Sequence, residues 1–331
     1  MEQMAEQVAG SHYQRLHYLL SESNWSRAEV RQQLIVDANA HFGQGAALVF
    51  DESAFAKKGD KSVGVARHQW NGRLGKTENS QVGVFAALVR DRACALVDGE
   101  LFVPEHWFDD PERCRAAGMP ETLAFRTKGE IALELLLRLR CEGLRYSHVV
   151  FDAGYGHLPW LLNDLDDEGE IFLAEIHADQ GISLANPQPT IPERTSPRSK
   201  APKILCAQTA AQTVTDWARV QPDSAWRRLS VRPGEKGEVI AEYLTQRVHV
   251  WNGKAPTARC WHLLVRREID GRKLKFCFAN VKPQGSLRRL ASMQADRHFV
   301  ERAFEDAKGT CGWPTIRPRA DKPGIITWRW S

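Results

Sequence analysis

The chain has 331 residues, 43% of them hydrophobic, enough to bury a sizeable core and to form one large or two medium domains. Its 45 Lys and Arg against 41 Asp and Glu leave a net charge of only +4, too small to establish a nucleic-acid partner by itself. No stretch reaches the roughly 18 apolar residues of a membrane helix, the start shows no basic-then-apolar signal, and the 7 scattered Cys include no CxxC pair, which argues against a membrane protein, a thiolate zinc site and a disulfide framework, and a cytoplasmic protein with reduced thiols is expected.

Residues 1–43 are predicted to be helical. Ser11 precedes one amphipathic stretch over 12–20, and Ser26-Arg27-Ala28-Glu29 is a capping-box pattern that opens a second helix towards Phe42. These helices either cover a sheet or contact DNA. The apolar run Ala46-Ala47-Leu48-Val49-Phe50 then predicts a buried strand that ends on Asp51, and an idle charge at the rim of a sheet is costly. Alternating strands follow over 62–68, 80–89 and 92–97, with a turn at Arg90-Asp91. The loops between 57 and 76 are basic and Gly-rich, which puts Lys57, Lys58 and Arg67 within reach of a phosphate backbone.

Helices are predicted over 111–117 and 130–140, the second carrying the stripe Ile131, Leu135, Leu136 and Leu139. A second apolar strand, Ser147 to Phe151, also ends on an acid, Asp152, followed by Ala153-Gly154-Tyr155-Gly156. A helix over 158–165 and a strand over 170–175 complete an α/β pattern, and we read 44–176 as the first part of a mixed sheet flanked by helices. The polar, Pro-rich stretch 177–203 reads as a linker, and 204–283 as a β-rich insertion separate from the first sheet, with hairpin turns at Asn252-Gly253 and Asp270-Gly271. A long helix over 286–308 follows within a closing core segment, 284–312.

Two strands ended by Asp point to a divalent-metal site, because hard cations take carboxylate oxygens. On the last helix Arg297, Glu301, Glu305 and Lys308 recur at spacings of four, four and three, which sets them on one face. Basic clusters at 194–203, 227–236, 266–275 and 288–302 read either as phosphate-tracking surfaces or as solvated faces. Histidine catalysis is not supported: His68 and His298 read as structural or phosphate-contacting residues.

The order of these features, with the segment Phe50-Asp51-Glu52-Ser53-Ala54-Phe55-Ala56-Lys57-Lys58-Gly59, then Asn79-Ser80-Gln81-Val82-Gly83-Val84, Asp152-Ala153-Gly154-Tyr155, and Arg297, Glu301 and Lys308 at the spacing R-x3-E-x6-K, resembles the DDE-type transposases of bacterial insertion sequences, which have an RNase H-like core. The resemblance implies a catalytic, metal-binding triad of Asp51, Asp152 and Glu301, with Glu305 the runner-up for the third acid. It implies two Mg²⁺ or Mn²⁺ ions about 4 Å apart, bridged by Asp51, and phosphate contacts from Arg297 and Lys308. The Tyr of the family's Tyr-Arg-Glu-Lys signature falls on Gln294, a departure. DNA is the implied partner, as terminal inverted repeats and as target. A homodimer in the synaptic complex and association with the nucleoid when DNA is bound are implied with it. The activity implied is strand cleavage and transfer at element ends, the alternative being a non-catalytic DNA-binding remnant that occupies those ends or inhibits intact transposase. A glycosidase carboxylate pair is the weaker third reading.

Residues 313–331 lack helical period, carry two Trp among the last four residues, and do not resemble the family's continuation. Read one nucleotide back, the codons from Trp313 permit Leu-Ala-Asp-Tyr-Gln, which does resemble it. The expectation is a one-base deletion near the codon for Gly312, giving a truncated and atypical tail, and further residues are expected before the segment that starts near Met4.

Overall fold

The computed structural model describes residues 26–57, 59–71, 76–194, 211–234, 237–252, 255–269, 273–309, 316–322 and 325–330, with single residues elsewhere. The chain divides into two compact units, Met1–Tyr146 with His298–Ser331, and Ser147–Arg297.

In the first unit the strands β1 (Ala47–Ala56), β2 (Ala66–Asn71), β3 (Lys76–Arg90) and β4 (Ala93–Phe102) form an antiparallel meander, with β3 pairing β1, β4 and, at its start, β2. The strand expected to stop at Asp51 runs on to Ala56, paired with β3 from Ala47↔Val89 to Ala56↔Ser80. What changes at Asp51 is burial. Residues up to it are buried on both faces, and beyond it Ser53 and Phe55 are buried while Glu52 and Ala54 are only partly so. This period-2 pattern is that of a strand with one covered face, so the backbone continues although the apolar run ends.

Helix α1 (Arg27–Phe42) is capped by Ser26, whose Oγ accepts from the Glu29 N–H at 3.4 Å. After the short helix α2 (Pro111–Ala116), helix α3 (Lys128–Cys141) opens with a full capping box between Thr127 and Glu130. Ile35, Ala38 and Phe42 of α1 and Ile131, Ala132, Leu135, Leu136 and Leu139 of α3 are buried. Their charged flanks meet β4: Asp98, only 5% exposed, receives Arg27, Arg31 and Arg138, and Glu100 receives Arg126 and Arg138. A buried carboxylate requires such partners.

The second unit contains β5 (His148–Phe151), the one-turn α4 (Ala153–Gly156), α5 (Pro159–Asp167) and β6 (Phe172–Ile176), parallel to β5. Then come β7 (Gly181–Ser183), β8 (Gln212–Thr213), α6 (Val214–Arg219), β9 (Arg227–Gly234), β10 (Gly237–Asn252), β11 (Ala255–Arg267) and β12 (Leu274–Ala279). The strand order is β5-β6-β12-β11-β10-β7-β8, with β9 also on β10. The β-rich stretch is therefore not a separate sheet. β12 joins β6 directly, from Phe276↔Ile176 to Ala279↔Leu173. The reason is burial: Phe276, Cys277, Phe278 and Ala279 are all buried, as strands inside a sheet covered on both faces must be. The stretch read as a linker likewise contains β7, which pairs with β10 through His249↔Ser183 and Val250↔Ile182.

The long helix α7 (Leu287–Gly309) contributes residues to both units, up to Arg297 in the second and from His298 in the first. The tail forms two strands, β13 (Ile316–Lys322) and β14 (Ile325–Trp330), paired with each other. Mixed sheets flanked by helices agree with the expected α/β class. Among the described residues no helix is long and apolar enough to cross a membrane.

Candidate active site

Asp51 is 8% exposed, and its Oδ1 accepts from the Glu52 N–H at 2.7 Å. Because side chains alternate along a strand, Asp51, Ser53 and Phe55 share one face of β1, and the register adds Phe85 of β3, directly opposite Asp51. Glu52 lies on the other face, where Lys128 of α3 pairs with it.

The Asp51 face is the one that α7 covers within the first unit. Phe304 meets Phe85 edge-on at 5.4 Å between ring centroids. Lys308 donates from Nζ to the Ala54 carbonyl at 3.0 Å and lies 5.4 Å over the Phe55 ring. Glu301 precedes these two anchors by three and seven residues, so it lies on the same side of the helix. At about 100° per residue, Glu301 lies about 40° from the line midway between the anchors and Glu305 about 80° from it. Glu301 and Glu305 are both exposed.

Asp152 belongs to the second unit. It follows the buried β5 and caps α4, its Oδ1 accepting from the N–H groups of Gly154 and Tyr155 at 2.9 and 3.3 Å. Oδ2 lies 3.8 Å from Arg297 Nη2. Arg297 Nη1 in turn donates to Glu175 Oε2 at 2.9 Å, and Lys275 Nζ lies 3.2 Å from Glu175 Oε1. Arg297, expected at phosphate, thus sits 17% exposed between two carboxylates. The Asp152-Ala153-Gly154-Tyr155-Gly156 motif has a packing cause as well. A Cβ on Gly156 would stand 1.8 Å from the Glu175 carbonyl oxygen, so only glycine lets α4 lie on β6, while Tyr155 is buried against Phe151 at 5.5 Å.

Of the other predicted residues, Lys57 is partly buried and its N–H bonds the Asn79 carbonyl at 2.8 Å, whereas Lys58 and the side chains of Arg67 and His68 lie outside the described residues. His298 packs against Phe299 at 5.6 Å. Gln294, at the departed Tyr position, is 6% exposed and donates to Cys277 Sγ at 3.2 Å, a core contact. His148, buried on β5, has Nε2 3.3 Å from Asp296 Oδ2.

Among the described residues no three His, Cys, Asp or Glu side chains gather into a metal-holding group. The donors nevertheless fit a hard cation in kind. All are carboxylates, and Asp152 keeps Oδ2 directed away from its cap, in a side chain 26% exposed. Glu175 is absent from the expectations of the sequence, because one glutamate among strand apolars carries no spacing signal, and Lys275 figures there only as the end of the basic cluster 266–275.

A family model described as DDE superfamily endonuclease matches residues 1–238. The chain is 31% identical over 317 residues, 95% of its length and 71% of the relative's, to a probable transposase for insertion sequence element IS701 from Microchaete diplosiphon. Among solved structures it is similar to piggyBac transposase in a synaptic complex with hairpin DNA, at 9% identity and a TM-score of 0.44, covering 87% of this chain and spanning 48% of that one. The chain belongs to the DDE superfamily of endonucleases, as a member of the insertion-sequence transposases.

Proposed function

We propose that this chain cuts DNA strands at the ends of an insertion sequence and joins them to target DNA, using Asp51, Asp152 and Glu301 to hold two divalent cations, Mg²⁺ or Mn²⁺. The observation that carries the reading is the β1–β3 register, which turns Asp51 towards the face that α7 covers with Phe304 and Lys308, the residues that orient Glu301. When bound, such ions activate a water or 3′ hydroxyl and stabilise the leaving oxygen of an in-line displacement at phosphorus.

The chain's own residues supply placement. Asp51 is carried on a strand paired along its whole length, Asp152 is oriented by two backbone N–H groups, and Glu301 rides on an anchored helix. Sites on such elements hold their geometry better than sites on loops. Lys308, Lys57, Lys58 and Arg67 would contact substrate phosphates, since cations there offset its charge. Arg297 would act on phosphate only after leaving one of its present carboxylates. Terminal inverted repeats and target DNA are the substrates in this reading, two ends being joined by a homodimer.

The test is strand nicking of a duplex carrying the element ends. Nicking that needs Mg²⁺, is abolished by EDTA, and disappears in Asp51→Ala while duplex binding is retained supports the proposal. Binding without nicking under any divalent ion supports the DNA-binding remnant instead.

A further inference from the structure

We propose that Glu175 is a positioning residue for Asp152: by holding the Arg297 guanidinium it keeps Asp152 Oδ2 available to a divalent cation. The inference rests on the reading of Asp152 as a metal ligand.

Four charged groups form a chain in the second unit, Asp152, Arg297, Glu175 and Lys275. Its contacts are unequal. Arg297 lies 2.9 Å from Glu175 but 3.8 Å from Asp152, and Glu175 is only 13% exposed, with its second oxygen 3.2 Å from Lys275. A guanidinium beside a single carboxylate takes it through a close, often two-pronged, hydrogen bond. Without the Glu175 charge, Asp152 Oδ2, 3.8 Å from Nη2, is a carboxylate oxygen within reach of Arg297. The other oxygen is already committed to the α4 cap. A cation and Arg297 would then compete for one atom.

The backbone ties the same residue to the same helix. The Glu175 carbonyl occupies the space that a Cβ on Gly156 would need, at 1.8 Å, so α4 rests on the residue whose side chain restrains Arg297. Glu175 thereby sets both the seat of the helix that Asp152 caps and the distance of the cation facing it. Lys275 places a second cation against Glu175, at 3.2 Å from Oε1.

The experiment is Mn²⁺ titration of the full chain, with free Mn²⁺ read by electron paramagnetic resonance and folding checked by circular dichroism. Wild type is expected to bind Mn²⁺ and Asp152→Asn to lose one bound ion. Glu175→Gln is expected to weaken that binding roughly tenfold, and adding Arg297→Gln to restore it to near the wild-type midpoint, because the competitor is gone; non-additivity of this size is what contacting charges show. Arg297→Gln alone leaves Glu175 with Lys275 and is expected to bind at least as tightly as wild type. Unchanged binding in Glu175→Gln, a double variant weaker than Glu175→Gln, or weakened binding in Arg297→Gln overturns the proposal and leaves the Asp152 reading intact. Undiminished binding in Asp152→Asn overturns both.

Discussion

Phe304 rests edge-on against Phe85, the residue that lies directly across the β1–β3 ladder from Asp51. The contact fixes the rotation of the second half of α7, and with it the direction in which Glu301 points. Phe304 is 6% exposed, so Phe304→Ala removes a buried ring and should cost about 3–5 kcal/mol, read from urea denaturation midpoints. Phe304→Leu should recover most of that.

Lys308 connects α7 to β1 through the Ala54 carbonyl and the Phe55 ring. Lys308→Ala should weaken binding of end duplex at low salt and reduce the slope of log affinity against log salt by about 1, as expected when one phosphate contact is lost. An unchanged slope would confine Lys308 to a structural part.

The fit of α4 on β6 predicts that Gly156→Ala destabilises the second unit, since the added carbon meets the Glu175 backbone and not a flexible side-chain end. The expected cost is about 1–3 kcal/mol by thermal or chemical unfolding. Gly143→Ala is the informative contrast: nothing lies within 4 Å of its Cβ, and its φ of +86° confines the strain to the backbone.

Acid should loosen the first unit. Burial pushes the Glu100 carboxyl up, but its hydrogen bond to Arg126 and the charges of Arg126, Arg27 and Arg138 outweigh that and hold it below the usual carboxylate range. The Arg31 hydrogen bond likewise holds Glu142 down. A depressed folded value means stability that is present above the ordinary Glu value of about 4.3 and is lost as pH falls through the folded value. Glu100→Gln should flatten the fall of the unfolding midpoint below about pH 4.5, and an unaltered acid limb would contradict this.

Much of this arrangement is legible in the residues. The Ser26 cap, the α3 stripe and the long terminal helix follow from local spacing, and appear within a residue or two of their expected ends. Asp51 and Asp152 stand out in the sequence because each closes an apolar run. The end of β1 was not legible, since period-2 burial after Asp51 depends on α7 covering one face, and the Lys308–Ala54 contact spans 254 residues of chain. Nor was the joining of β12 to β6, which is set by burial on both faces and not by turn signals. The Glu175–Arg297–Asp152 chain has no sequence period at all, because its members come from β6, α7 and the end of β5.

Whether Asp51 and Glu301 act together in metal-dependent strand cleavage is decided by comparing Asp51→Ala, Glu301→Ala and Glu305→Ala on an end-containing duplex in Mg²⁺. All three variants should bind the duplex, Asp51→Ala and Glu301→Ala should leave it unnicked, and Glu305→Ala should cut within about tenfold of wild type. Nicking by Glu301→Ala at the wild-type rate, or its loss only in Glu305→Ala, would contradict it.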